Sequence, residues 1–155
     1  MTPENLQRKR LGSLLVGLQF GLIFFLGWAS LPVFLGGQFP AAALGLALLG
    51  VAVGLWALWA NRPGNFNIRP LPRAGGQLVA HGPYRWIRHP MYTGVLACGV
   101  AAAWSTATVW GWLALAALGA VLLSKARLEE RWMLQAHPDY ADYQARTWRL
   151  VPGIY

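Results

Sequence analysis

The stretch LGSLLVGLQFGLIFFLGWASLPVFL, from Leu11 to Leu35, contains no Asp, Glu, Lys or Arg. About 20 apolar residues at 1.5 Å rise cross the hydrocarbon core of a bilayer, so this stretch predicts a membrane-spanning helix. The basic cluster Arg8, Lys9, Arg10 opens it. Its apolar run exceeds the roughly 7–15 residues of a signal-peptide core, so the segment is expected to be retained. Pro32 falls near its far end, where a kinked or frayed last turn is tolerated.

Working outward, the charge-free tract continues to Asn61, and a second one runs from His89 to Ser124. A short Gly36-Gly37-Gln38 turn separates the first span, about 11–35, from a second, about 39–60. The 34 residues from Met91 to Ser124 are long for one span and short for two full ones. Trp104-Ser105-Thr106 lies near the middle and offers a turn at an aromatic interface. The reading is a hairpin of spans at about 90–104 and 107–124. Its second helix continues through Lys125 to about Ala136, where Pro138 stops it. A short helix then follows, with Asp139 near its start and Tyr140, Tyr143 and Thr147 on one face. Gly17 and Gly21, and Gly50 and Gly54, are four apart and suit close helix packing. The expected fold is an all-α integral membrane protein of four transmembrane helices, both termini cytoplasmic, with a cytosolic C-terminal helix. It forms a single domain over residues 1–155.

Composition agrees. Of 155 residues, 56% are hydrophobic and 12% charged, about half the charged share of a soluble domain. Such hydrophobicity also excludes a disordered chain. The net charge of +8 arises from 13 basic and 5 acidic residues. All the basic residues lie in the N-terminus, the 61–89 connection and the 125–155 tail. Four spans place all three on one side, and the positive-inside rule makes that side cytoplasmic, as in a bacterial inner membrane. Three spans would strand the basic tail on the opposite side. Nucleic acid is not an expected partner, because no basic stripe or aromatic platform is present. The single cysteine, Cys98, excludes an internal disulfide and reads as a packing residue. His81, His89 and His137 lack metal-ligand spacing, so no metal is expected. No serine or cysteine nucleophile has a companion base.

The 61–89 connection carries the chemistry. From Asn61 to Pro90 there are five prolines and four glycines without helical period. Phe66, Ile68, Leu71, Leu78, Val79, Tyr84, Trp86 and Ile87 are interleaved with the charges and argue against disorder. Irregular backbone beside a membrane lines a cavity or is covered by protein, which points to a site on the cytoplasmic face. Leu78-Val79-Ala80-His81-Gly82-Pro83-Tyr84-Arg85-Trp86-Ile87-Arg88-His89-Pro90-Met91-Tyr92-Thr93-Gly94 resembles the signature stretch of the isoprenylcysteine carboxyl methyltransferase family and of the related phospholipid N-methyltransferases. Glu129-Glu130, then Tyr140, Tyr143, Arg146 and Pro152, resemble that family's paired glutamates and its Tyr-x-x-Tyr-x-x-Arg ending. The likeness covers about the last 90 residues, and the first two spans match only in character.

The resemblance implies S-adenosylmethionine as cofactor and methyl transfer to a lipophilic or lipid-linked amine, thiol or carboxylate. It implies cofactor contacts at Leu78, Val79, Tyr84, His89, Pro90, Met91, Tyr92 and Glu129, with Gly76 and Gln77 extending the first group. The family's substrate-facing arginine corresponds to Lys125, with Arg127 as a rival. His89, Tyr92 and Arg146 are positioning candidates. The residue types suit the ligand: a carboxylate meets the cofactor's ammonium through charge-assisted bonds, and tyrosine faces attract a sulfonium.

The same residues also have plainer readings. Adjacent glutamates point about 100° apart on a helix, so only one enters a given pocket. Glu130 is spaced to pair with Arg127 and Lys125 with Glu129. Tyr84, Trp86, Tyr92 and Trp132 fit an interface belt. Arg85 and Arg88 suit topology or lipid phosphates. His89 suits the cap of the third span, with Pro90 at the first turn. Two rival functions follow: an NADPH-dependent membrane reductase with a similar loop, or a non-enzymatic accessory subunit packing through its glycine faces.

Overall fold

A computed structural model describes residues 3–61 and 78–155 of the chain. It is all-helical: α1 Pro3–Leu35, α2 Ala41–Asn61, α3 Pro90–Thr106, α4 Val109–Ala136 and the short α5 Tyr140–Ala145. One 3-10 turn, Gly82–Arg85, precedes α3. Three helices, α1, α2 and α4, are long and apolar enough to cross a membrane. At 17 residues, α3 reaches only about 25 Å. Large apolar side chains point outward along these helices, among them Phe24 at 71% and Trp59 at 80% exposure. Water would penalise such a surface, and lipid covers it.

The boundaries follow from local chemistry. After Pro32, α1 runs out into Gly36 and Gly37, and Gly37 takes a left-handed φ of +67°, as C-terminal caps favour. Between α3 and α4 the turn falls at Ala107, φ +50°, one residue beyond the predicted Trp104-Ser105-Thr106. The Thr108 hydroxyl then accepts from Gly111 N–H at 3.2 Å and caps α4. As predicted, α4 ends at Ala136, ahead of Pro138.

Two seams hold the bundle. Gly50 of α2 lies against Gly94 of α3 so closely that a Cβ on Gly94 would sit 2.5 Å from the Gly50 carbonyl oxygen. Only glycine permits this approach. Gly17 and Gly21 do not play the same part: a Cβ at either would meet nothing within 4 Å. The four-residue spacing repeats on both helices, but only α2 presents it to a neighbour. The second seam joins α1, α3 and α4 through Leu26, Ala103, Ala114, Leu118 and Leu122. Gln19 of α1 meets Lys125 of α4, and Arg8 meets Trp132. The two helices therefore run antiparallel, with the start of α1 beside the end of α4.

Candidate functional site

At that end of the bundle, three chain segments converge. Gly82 lets the loop settle on α2: its φ is +60°, and a Cβ there would lie 2.9 Å from the Ala60 Cβ. Trp86 leans on Trp56, ring centroids 6.0 Å apart. The next residues pair with the C-terminal tail as a short parallel bridge, Ile87 with Trp148. Trp148 N–H donates to Trp86 O at 2.8 Å, Arg88 N–H to Trp148 O at 2.8 Å, and His89 N–H to Arg149 O at 3.1 Å. Two side chains add to this. The Tyr143 hydroxyl donates to Tyr84 O at 2.7 Å, and Thr93 Oγ1 to Leu150 O at 2.7 Å.

Inside this stitching sits Glu130, its side chain 4% exposed. Arg88 Nε donates to its Oε1 at 2.8 Å, and Arg149 Nη2 to its Oε2 at 2.7 Å. Gln144 Nε2 adds a bond at 3.2 Å. Arg88 also donates to the carbonyls of Gln144, at 3.0 Å, and Thr147. A buried carboxylate is stable only when its lone pairs are used in this way. Glu130 thus joins loop, α4 and tail. The pairing with Arg127 that helical spacing suggests is replaced by long-range partners, and the exposed Arg127 instead bonds the Tyr155 side chain.

Glu129, one residue earlier, is in a different situation. It is 23% exposed, and it accepts from the Tyr92 hydroxyl. His89 lies between the two glutamates: Nδ1 is 3.2 Å from Glu129 Oε2 and Nε2 is 3.3 Å from Glu130 Oε1. Both ring nitrogens face carboxylate oxygens, the arrangement of an imidazolium donating twice. Burial alone would lower the His89 pKa, but the bonds and charges of both glutamates raise it above its ordinary value. As expected, His89 caps α3 ahead of Pro90; its side chain makes no capping bond and is spent on the glutamates. Its ring stacks on Tyr92, centroids 5.3 Å apart and planes within 4°. Tyr84 remains a phenol at neutral pH, pushed up to about 12 by burial and by the Glu129 charge.

Lys125 is 2% exposed. Its ammonium donates to Gln19 Oε1 at 2.5 Å and lies 5.1 Å from the Tyr92 ring centroid. The structure thus gathers His89, Tyr92, Glu129 and Lys125, with Pro90 buried at the start of α3. Leu78, Val79 and Met91 are half-buried nearby in sequence, while Gly76 and Gln77 lie outside the described residues. Arg127 and Arg146 are exposed, and Arg127 bonds Tyr155. The tail arginine that enters the cluster is Arg149, which motif spacing passes over. Arg88, Gln144 and Gln19 are likewise additions. The signal available for the two arginines was the need of a buried glutamate for cations, and for Gln19 the isolation of an amide within an apolar span.

The loop segment ahead of α3, the α3–α4 hairpin and the paired glutamates of α4 lie within a stretch that matches a membrane methyltransferase family. The phospholipid methyltransferase family model matches residues 39–139, and the chain belongs to that family. The match takes in α2, which motif reading alone left unassigned, and stops before the Tyr140–Pro152 tail. No curated protein matches the chain.

Proposed function

We propose that the chain transfers a methyl group from S-adenosylmethionine to a lipid acceptor, at the cytoplasmic end of a four-span bundle in a bacterial inner membrane. The observation that carries this reading is the division between the two glutamates. Glu130 is saturated by protein partners, whereas Glu129 is partly exposed and held in place by Tyr92 and His89.

The residues fit the cofactor's groups. Glu129 supplies a carboxylate for an ammonium or ribose hydroxyls. Tyr84 and Tyr92 offer faces for a purine or a sulfonium. Leu78, Val79, Pro90 and Met91 contribute apolar contacts. When bound, the cofactor supplies an activated methyl on a positively charged sulfur. The chain's own work is then positional: His89 fixes Glu129, Glu129 fixes the Tyr92 hydroxyl, and the buried cluster keeps water from the line of attack. Lys125 is the acceptor-side cation, suited to an anionic head group, and α3 completes the fourth span. Arg127, exposed and bonded to Tyr155, is the weaker candidate. The family favours a phospholipid amine as the first acceptor to test, ahead of thiols and carboxylates.

The test is calorimetric titration of the detergent-purified protein with S-adenosylhomocysteine, with NADPH as comparison ligand. Saturable binding of the first alone is expected. NADPH binding alone, or no binding by folded protein, would overturn the reading.

A further inference from the structure

Gln19 lies eight residues into the charge-free tract of α1, on the same face as the buried Leu15 and Leu26, and is 8% exposed. An amide so placed costs free energy unless its polar atoms are used, and within an apolar span it marks function. Its oxygen is used: Lys125 Nζ donates to Oε1 at 2.5 Å. An ammonium only donates, so this contact fixes the amide's orientation and turns Nε2, with its two N–H donors, the other way. Among the described residues Nε2 has no hydrogen-bond partner. Every fully buried side-chain nitrogen or oxygen among them has one, so Nε2 keeps an opening to its surroundings.

We infer that Gln19 is a specificity-determining residue: with Lys125 it forms a subsite for a spectator oxyanion of the acceptor, the phosphodiester beside the group that receives the methyl. Position is the first argument. The Lys125 ammonium lies 5.1 Å from the Tyr92 ring centroid, and the Tyr92 hydroxyl donates to Glu129. Lys125 and Glu129 share a face of α4 at four-residue spacing, so the pair stands about one helical turn from the carboxylate proposed for the cofactor. α1 lies outside the family match, and Gln19 is what it brings to the site. Charge is the second argument. A glutamate at position 19 would neutralise the lysine, whereas the amide orients it and leaves its charge in place. Lys125 has other partners as well, but Glu129 is the acid that acts on it. Of the other four acids, Glu4 stands fifteen residues before Gln19, about 22 Å along α1. Glu130 is saturated by Arg88 and Arg149, and Asp139 and Asp142 follow the end of α4. Chemistry is the third. An ammonium and an amide NH₂ present donors only, so they select oxygen acceptors that carry negative charge. Donors this strong on the reacting atom itself would weaken it as a nucleophile, which makes the oxyanion a neighbour of that atom. The exposed Leu18 and Phe20 flank Gln19 and would meet the acyl chains of a lipid arriving from the bilayer.

The subsite rests on the methyl-transfer reading, and binding measurements keep the two apart. The full chain is purified in a neutral sugar detergent, saturated with S-adenosylhomocysteine and titrated calorimetrically with short-chain phosphatidylethanolamine. A long-chain amine without phosphate is the comparison ligand. Gln19→Leu is expected to lose about tenfold in affinity for the phospholipid, the worth of one hydrogen bond to a charged group, and to stay within about twofold for the amine. Gln19→Glu separates ligand binding from mere support of Lys125. Its carboxylate holds the lysine, so melting is expected to stay near wild type. It also neutralises the ammonium and repels the phosphate, so phospholipid affinity is expected to drop by about a hundredfold. Unchanged phospholipid affinity in Gln19→Glu would overturn the subsite, and so would equal losses for the two ligands. Equal competition by inorganic phosphate would make the ligand a free anion and overturn the acceptor assignment. If Gln19→Leu does not fold, Gln19→Glu alone carries the test. No binding of S-adenosylhomocysteine by wild type would overturn the methyl-transfer reading. Normal binding of it, with no discrimination between the two titrated ligands, would overturn the subsite alone.

Discussion

Glu129 and Glu130 share a helix, a charge and a histidine, yet their surroundings divide their work. Glu130 is closed off by Arg88 and His89 from the loop ahead of α3 and by Gln144 and Arg149 from the tail. Glu129 has one tyrosine and the other side of the same imidazole, and part of its carboxylate still reaches solvent. A helix step of about 100° is enough for this division. Glu130 faces the tail and is enclosed by it, whereas Glu129 stays partly open to solvent. The comparison fails if the two residues respond alike to substitution.

The largest effect is expected at Glu130. Glu130→Gln leaves the largely buried Arg88 and the partly exposed Arg149 without their counter-charge; breaking a buried pair typically costs about 3–5 kcal/mol, and the exposure of Arg149 puts the loss toward the lower figure. Differential scanning fluorimetry in detergent should show a large fall in melting temperature, and hydrogen exchange should rise across residues 146–150 as the tail detaches. A variant that melts like wild type would contradict the clasp.

Glu129→Gln is expected to do the reverse. Melting should change little, because the carboxylate is partly solvated. Affinity for S-adenosylhomocysteine should fall roughly ten- to hundredfold, the worth of a hydrogen bond to a charged group. Unchanged affinity in the folded variant would remove Glu129 from the cofactor site, and equal destabilisation of both variants would erase the division itself.

Much of this was legible before any coordinates. The charge-free tracts and Pro138 locate most helix ends to within a few residues, because burial in lipid allows no irregular backbone; α1 is the exception, starting at Pro3, eight residues ahead of its charge-free tract. Glu129, His89 and Tyr92 come from the resemblance of their motifs to a known family. Arg88 and Arg149 do not, because their role depends on the parallel bridge between Ile87 and Trp148, and nothing local predicts the register of a 60-residue contact. Gly17 and Gly21 illustrate the converse: a valid packing pattern does not say whether a neighbour is there. The tail arginines give a sharper test of the clasp. Arg149→Gln is expected to lower stability by about 1–3 kcal/mol, through loss of charge-assisted bonds to a buried carboxylate. Arg146→Gln, three residues earlier and exposed, should stay within about 0.5 kcal/mol. If Arg146 proves the more damaging, the tail motif outranks the geometry.

The smallest effect tests the histidine that links the two glutamates. Its folded pKa is raised, so the stability it adds is fully present below its unfolded value of about 6.5 and is lost as pH rises through the folded pKa. Wild type should therefore lose melting temperature as pH rises from 6.5 upward. His89→Gln can still donate to one carboxylate but cannot gain a proton, so its melting curve should start lower and vary less across the same range. The difference between the two profiles isolates His89 from the other titrating groups. Parallel profiles would mean that the imidazole stays neutral between the glutamates. In that case its single N–H serves one glutamate at a time, and the charge that couples Glu129 to Glu130 disappears.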